Sequence, residues 1–455
     1  MTIRRLFVAN RGEIALRIIR AAQALGIETV LGVSTADRET MAAEAADHVV
    51  VLGPPAAAQS YLDMKTVVHA AKGAGCDALH SGYGFLSERA AFARLCEENE
   101  LVFVGPTADS IERLGDKISA RTLAKAAGVP VSPGTDQIAS VKDAQRAAGD
   151  LGYPVLMKAS AGGGGRGMFI ARGPSDIAEN FDRASAAARA AFGDGTLYME
   201  RYVERARHVE VQVVGDGQGT VLHFGERDCS AQRRYQKVIE EAPATILPAT
   251  LRASLHEAAI KLTREINYRN AGTVEFLYDL DREAFYFIEV NARIQVEHPV
   301  SETITGVDLV QLQLKVAGGA GLGMTQHDIV TDGHAIELRL NAEDPAKDFQ
   351  PSPGRITRWQ PPAGPWLRLD SHCRSGYLVP PFYDSMIGKL IVRGRDRPDA
   401  IERARDALQG FRLEGVANNL AFQAALLSHP DFIANQIDSR WLERVFLPAF
   451  NAPKE

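Results

Sequence analysis

The chain has 455 residues, of which 45% are hydrophobic, with a formal net charge of −6 and a pI near 6.0. That balance argues against nucleic acid or an anionic membrane surface as the main partner. No uninterrupted apolar run approaches the ~20 residues of a membrane helix, and the length corresponds to about three domains.

The N-terminus carries basic residues but only a very short apolar stretch before Arg11 and Glu13, too short for a signal peptide. Leu6–Ala9 is a predicted strand. Glu13–Leu25 is a predicted helix with an apolar stripe at Ile14, Ile18, Ala21 and Leu25. Thr29–Ser34, His48–Leu52 and Val102–Gly105 are further short strands. Strand and helix alternate over roughly the first 110 residues, which predicts a mostly parallel, Rossmann-like sheet. The first turn reads Ala9-Asn-Arg-Gly-Glu13 and lacks Gly-x-Gly-x-x-Gly, so a dinucleotide site is not supported.

Residues 130–203 read as a separate small module. A strand at Gly152–Ser160 runs directly into Ala161-Gly-Gly-Gly-Gly-Arg-Gly167, and a strand resumes at Met168–Ala171. A glycine-rich hairpin lets backbone N–H groups approach phosphate oxygens, and its freedom suits a lid. It is not a Walker A loop, because no Lys-Ser/Thr follows the glycines; Gly388-Lys389 is not one either.

A larger α+β region follows from residue 204, with a strand at His208–Val214. Ala271–Tyr278 is a strand carrying Glu275 between apolar neighbours. In Phe287-Ile-Glu-Val-Asn-Ala-Arg-Ile-Gln-Val-Glu-His-Pro299, polar groups recur at every second position: Glu289, Asn291, Arg293, Gln295 and Glu297. While the chain stays extended, these five point to one side and Ile288, Val290, Ala292, Ile294 and Val296 to the core. Glu and Asn oxygens suit Mg²⁺ or Mn²⁺, Arg293 offers a fork for an oxyanion, and Glu297 is left free as a base. A hairpin across Asp279–Glu283 sets Glu275 beside Glu289, and two such acids imply a cation between them.

From residue 334 a final segment carries Glu337–Asp344 and Pro380–Lys389, and a helix at Asp399–Phe411 turns Ile401, Ala404, Leu408 and Phe411 inward. Cys76, Cys96, Cys229 and Cys373 are scattered without a CxxC pair. This predicts reduced thiols and a cytoplasmic protein, with core packing for three of them and charged neighbours around Cys229.

These motifs give the chain a resemblance to the ATP-grasp enzymes. Within them it is similar to the biotin carboxylases, which carboxylate biotin in acetyl-CoA carboxylase and related enzymes. The motifs that carry the match are Ala9–Ala15, Gly82–Glu88, Gly115-Asp-Lys117, the Gly162–Gly167 loop, Glu226–Ser230, Gln236–Pro243, residues 287–299 and Pro351–Gly354. The chain departs from the family pattern at Ser81, Ala161 and Tyr235; the family has a His implicated in nucleotide contact where Tyr235 stands.

The resemblance implies an α/β and α+β architecture in four parts. Residues 1–114 would be a Rossmann-like domain, 115–203 a linker and ATP-grasp lid, 204–333 the second ATP-grasp half with the metal and bicarbonate site, and 334–455 an appended biotin carboxylase subdomain. It implies that Lys117, Lys158, Gly164, Gly165, His208 and Tyr235 hold ATP, with Glu200 and the backbone of Arg201 and Val203 around adenine or ribose. Glu275, Glu289 and Asn291 would hold two Mg²⁺ or Mn²⁺ ions, with Glu275 also on the nucleotide side. Lys237, Arg293, Gln295 and Val296 would bind bicarbonate; Glu297 would act as base, and Arg339 and Tyr83 would meet biotin.

No Met-Lys-Met carrier motif is present, so biotin would arrive on a separate biotin carboxyl carrier protein, with a carboxyltransferase as the next partner. A homodimer serving fatty acid biosynthesis is the implied assembly. Two rival readings share parts of the pattern. An ATP-grasp ligase joining another acid to an amine would not need the set at 293–297. A non-catalytic nucleotide-binding regulator would have lost a metal ligand or the base.

Overall fold

Apolar runs buried on both faces make a parallel sheet of the N-terminal segment. The strands β1 (Arg5–Val8), β2 (Glu28–Ser34), β3 (His48–Gly53), β4 (Ala78–His80) and β5 (Val102–Phe103) pair in the order β3-β2-β1-β4-β5, all parallel. Helix α1 (Gly12–Ala24) packs Ile14, Ile18 and Ile19 against Leu6, Val8 and Leu31, all buried. Burying a side chain of this size contributes roughly 2 kcal/mol of transfer free energy. Ligand chemistry in such sheets gathers beyond the C-terminal strand ends. Here those ends lead into Asn10–Glu13 and Ser81–Glu88. Gly82 has φ +62°, and a Cβ there would sit 3.0 Å from Asn10 Nδ2, so this turn requires glycine.

The computed structural model describes residues 3–160 and 168–451; residues 161–167, with the expected Gly164 and Gly165 contacts, lie outside the described residues. The small module is a three-stranded antiparallel sheet of β6 (Val155–Ala159), β7 (Phe169–Ala171) and β8 (Leu197–Arg201), ordered β7-β6-β8. In β6, Val155, Met157 and Ala159 are buried against the helices Val141–Leu151 and Pro174–Phe192, which turns Lys158 to the opposite face.

The rest of the site stands on one eight-stranded sheet. Its strands β9 (Ala206–Asp216), β10 (Val221–Arg233), β11 (Gln236–Ala242), β12 (Arg269–Asp279), β13 (Ala284–Asn291) and β14 (His334–Asn341) run in the order β13-β12-β9-β10-β11-β14. The strands Met386–Gly394 and Leu367–Ser371 extend the same sheet beyond β14, so it continues without a break past residue 334. Helix Arg397–Gly410 covers this end with Ile401, Ala404 and Leu408 buried, as its periodicity predicts. All four cysteines are buried and unpaired. Among the described residues no helix is long and apolar enough to cross a membrane.

One sequence expectation changes here. The strand of the 287–299 stretch ends at Asn291, and residues 292–297 are irregular before a helix begins at His298. Strict alternation therefore covers only Glu289 and Asn291. Arg293, Gln295 and Glu297 reach the same site because the loop bends back over the sheet.

Candidate active site

Four charged residues stand in register across one face of the large sheet. Glu289 on β13 faces Glu275 on β12, Glu275 faces Glu210 on β9, and Glu210 faces Arg227 on β10. Directly opposed residues share a face, so register alone aligns three carboxylates and a guanidinium. Arg227 Nε lies 2.5 Å from Glu210 Oε1, and both residues are fully buried. His208, two residues before Glu210, brings Nε2 to 3.0 Å from Glu275 Oε2.

Lys237 enters this row from β11. Its ammonium lies 2.5 Å from Glu210, 3.1 Å from Glu275 and 2.5 Å from Glu297. Burial alone would favour the neutral amine, but Cys229 and these three carboxylates outweigh it and hold Lys237 protonated well above its ordinary range. Its basic neighbours do not share the site: Arg233 and Arg234 turn away to pair with Asp348. Of the three basic residues at 233–237, only Lys237 enters the row.

The loop after β13 gathers polar side chains around Arg293. Arg293 donates from Nη1 to Gln295 Oε1 at 2.7 Å, from Nη2 to Asn291 Oδ1 at 3.0 Å and from Nε to Glu88 Oε2 at 2.9 Å. Gln295 donates from Nε2 to Glu275 Oε1 at 3.1 Å. Glu297 is not a free base, as the alternation suggested. It is fully buried between Lys237 and Arg339, whose Nη2 is 3.0 Å from Glu297 Oε2, and the Cys229 thiol is 4.0 Å from Oε1. Burial would raise Glu297, but Lys237, Arg339 and Arg227 overcome it and hold the carboxyl well below its usual range. Arg339 pairs with Glu240 at 2.6 Å as well as with Glu297, not with Glu337 or Glu343. Burial pushes Glu240 up to about 7 despite Arg339.

The metal-ligand expectation can be tested on the donors present. Glu275 and Glu289 are opposed, and Asn291 Nδ2 lies 2.8 Å from Glu275 Oε1. Lys117 Nζ stands 3.5 Å from Glu289 Oε2. Hard oxygen donors so grouped, with Lys237 and His208 neutralising part of the charge, fit a hard divalent cation that would take over some of those contacts.

On the lid side, Lys158 Nζ lies 2.5 Å and Arg121 Nη1 2.6 Å from the two oxygens of Glu200. The Arg201 N–H is already given to Pro133 O at 2.8 Å. The Val203 N–H takes no partner among the described residues. Tyr235 occupies the tip of the β10–β11 hairpin, 62% exposed, with Arg234 and Tyr235 at φ +48° and +65°. Positive φ at both central residues is the two-residue hairpin turn that matches strand twist. Tyr83 donates its hydroxyl to Glu13.

Three family descriptions match the chain end to end. They are "Biotin carboxylase, N-terminal domain" over residues 2–111, "Carbamoyl-phosphate synthase L chain, ATP binding domain" over 116–325, and "Biotin carboxylase C-terminal domain" over 337–444. Biotin carboxylase 1 of Bacillus subtilis (strain 168) is 47% identical over 97% of this chain and 98% of its own length. The chain belongs to the biotin carboxylase family. Its activity is therefore ATP-dependent carboxylation of biotin, and its fold is the ATP-grasp fold with a Rossmann-like N-terminal part.

Among solved structures of the family, the Campylobacter jejuni biotin carboxylase–β,γ-ATP complex superposes with a TM-score of 0.94 at 45% identity, covering 97% of this chain and 99% of that one. The biotin carboxylase domain dimer of the Hydrogenobacter thermophilus 2-oxoglutarate carboxylase, with MgADP, ADP and bicarbonate, gives 0.94 at 42% identity over 100% of both chains.

Against this biotin carboxylase frame, the residues alone pointed to Glu275, Glu289, Asn291, Arg293, Gln295 and Glu297, and the resemblance added Lys237, Arg339 and His208; the structure brings all nine together. Both missed Glu88, Glu210, Arg227 and Glu240. Arg227, Glu240 and Glu88 lie inside family motifs, and Glu210 sits two residues from His208 on a strand. Those positions were the available signals.

Proposed function

We propose that this chain carboxylates biotin presented on a separate biotin carboxyl carrier protein, through carboxyphosphate. The observation that carries this reading is Lys237, whose one ammonium touches Glu210 and Glu275 on the acid row and Glu297 beside Arg339. The phosphate end and the biotin end of the reaction then share a single cation.

Lys117, Lys158 and His208 bind ATP phosphates, and Glu200 and Val203 take the adenosine part. Among the described residues the Val203 N–H takes no partner and the Arg201 N–H is given to Pro133 O, so a backbone N–H contact falls to Val203. Tyr235 closes the entrance at the hairpin tip. Glu275, Glu289 and Asn291 would hold Mg²⁺ or Mn²⁺, two ions in all, and such ions neutralise charge on the transferring phosphoryl group.

Arg293, Gln295, the Val296 backbone and Lys237 hold bicarbonate. Its hydroxyl proton goes to Glu297, and its oxygen attacks the γ-phosphorus as the bond to ADP breaks. A carboxylate held so far down by its cations is a weak base. Bicarbonate bound to Lys237 shares that cation and returns basicity to Glu297. Carboxyphosphate then divides into CO₂ and phosphate. The phosphate removes the biotin N1′ proton, Arg339 stabilises the ureido enolate, Tyr83 lines the biotin side, and N1′ attacks CO₂.

Acetyl-CoA is the acceptor we assign, in fatty acid biosynthesis, with a carboxyltransferase as the next partner. A second reading is a 2-oxo acid as acceptor, because the 2-oxoglutarate carboxylase domain is as similar in fold as the Campylobacter jejuni biotin carboxylase. The division at residues 114, 203 and 333, a homodimer and a cytoplasmic location complete the proposal; four unpaired buried thiols support the last.

ADP release by the pure chain, with and without bicarbonate and free biotin, tests the reading. Turnover requiring both is expected. Turnover indifferent to bicarbonate or biotin overturns it, and turnover that instead requires an amine would favour the ligase reading.

A further inference from the structure

Two sequence motifs that the roles above leave unused meet in the protein interior. Glu13 comes from the turn into α1, and Lys389 from the strand Met386–Gly394. Lys389 is fully buried and Glu13 is 3% exposed. Lys389 Nζ lies 3.1 Å from Glu13 Oε1 and donates to the Val296 carbonyl at 2.8 Å. Glu13 in turn accepts the Tyr83 hydroxyl. One continuous chain of contacts thus runs Val296–Lys389–Glu13–Tyr83.

Register explains why Lys389 faces this way. It stands directly opposite Arg339 on one neighbouring strand and Asp370 on the other, so the three share a face of the sheet. Glu337, Asp370, Arg368 and the Tyr83 ring, whose centroid is 5.9 Å from Nζ, also surround it. Desolvating an ammonium and a carboxylate is costly, and apolar residues of similar volume commonly stabilise a core as well or better. Packing alone does not account for the pair. What the pair does hold is a specific peptide group: the Val296 carbonyl is fixed, while the Val296 N–H has no partner among the described residues.

We propose that Lys389, together with Glu13, is a positioning residue that locks the Val296 peptide for bicarbonate and ties it to the biotin-side Tyr83. This rests on the assignment of Val296 and Tyr83 to those substrates. Neither Lys389 nor Glu13 touches substrate. Lys389 sets the bicarbonate loop through the carbonyl, and Glu13 sets the Tyr83 hydroxyl. A small misplacement of such a loop weakens capture of a small anion while leaving the distant nucleotide contacts intact.

Steady-state ADP release from the full chain, with separate KM values for bicarbonate, free biotin and ATP, tests this. Lys389→Met should raise the KM for bicarbonate about tenfold with the KM for ATP within about twofold. Glu13→Gln, nearly isosteric, should raise the KM for biotin and leave the bicarbonate KM close to the parent. The double variant Glu13→Gln/Lys389→Met removes both members of the pair together and still lacks the bond to Val296, so it should keep the bicarbonate defect where Lys389→Met alone does not fold.

A bicarbonate KM unchanged in any folded variant lacking Lys389 overturns the proposal, as does an equal rise in all three KM values with a lower Tm. Should no such variant fold, an unchanged biotin KM in Glu13→Gln overturns it. Gln295→Ala separates the two levels. If it leaves the bicarbonate KM unchanged, the bicarbonate assignment itself fails; if it raises that KM while Lys389→Met does not, only the positioning role fails.

Discussion

Glu275 and Glu289 face each other as directly paired residues of the β12–β13 hairpin, each on the face that carries Glu210 and Arg227. Lys237 faces Glu275 and Lys117 faces Glu289, so the pair is partly neutralised, and the metal assignment proposed above has a dication take over those contacts. A neutral amide is a poor partner for a dication. Glu275→Gln or Glu289→Gln should nearly abolish Mg²⁺-dependent ADP release, and activity of either near the parent's would refute the metal assignment.

Glu297→Gln should remove biotin-dependent turnover, by roughly a hundredfold or more, because it deletes the proposed proton acceptor. ATP affinity should persist, since Lys117, Lys158 and His208 are untouched. Calorimetric titration with ATP checks this; an equal loss of ATP affinity would move Glu297 to the nucleotide or metal site.

Tyr235→His should fold normally, because His tolerates the left-handed conformation at φ +65° at least as well as Tyr. The residue is 62% exposed at a hairpin tip, so the KM for ATP should change only a few-fold. If a charged imidazole acts on phosphate, the variant alone should bind ATP more tightly at about pH 6 than at about pH 8. A flat comparison would reject the cationic role.

Glu241 joins β11 to the last part of the chain. It takes Arg397 Nε at 2.6 Å and Nη2 at 3.0 Å, and His334 Nε2 is 3.0 Å away. Burial would raise its pKa, but Arg397 and His334 bring it from 4.5 down to about 2. A depressed folded pKa means the unfolded chain binds the proton more readily. The stabilisation is therefore complete above about pH 4.5 and is lost as pH falls toward 2. Glu241→Gln should cost about 3 kcal/mol near neutrality. The gap in Tm between parent and variant should close as the pH is lowered through that window. A gap independent of pH would contradict the ion-pair account.

Local pattern was enough for the strands, and for Lys158, turned out of the module core by alternation along β6. It was not enough for the acid pair. The short turn joins β12 to β13, but the register it sets would put Glu275 opposite Ile288, and only an irregularity after Phe276–Phe287 brings Glu275 opposite Glu289. Alternation misled beyond Asn291, because a period of two carries information only while the backbone stays extended, and the strand ends there.

By itself, then, the sequence determined the element types and the motif order, since each depends on residues close along the chain. Tertiary structure decided who meets whom. Lys237 reaches Glu297 across 60 positions, Arg293 is braced by Glu88 across 205, and Lys389 meets Glu13 from opposite ends of the chain. A single charged residue carries no signal naming its distant partner. Which carboxylate each cation neutralises is set by strand order in the large sheet and by how the N-terminal domain packs against it. Strand order, with β11 beside β14, turned a nominally free Glu297 into a buried carboxylate held between Lys237 and Arg339.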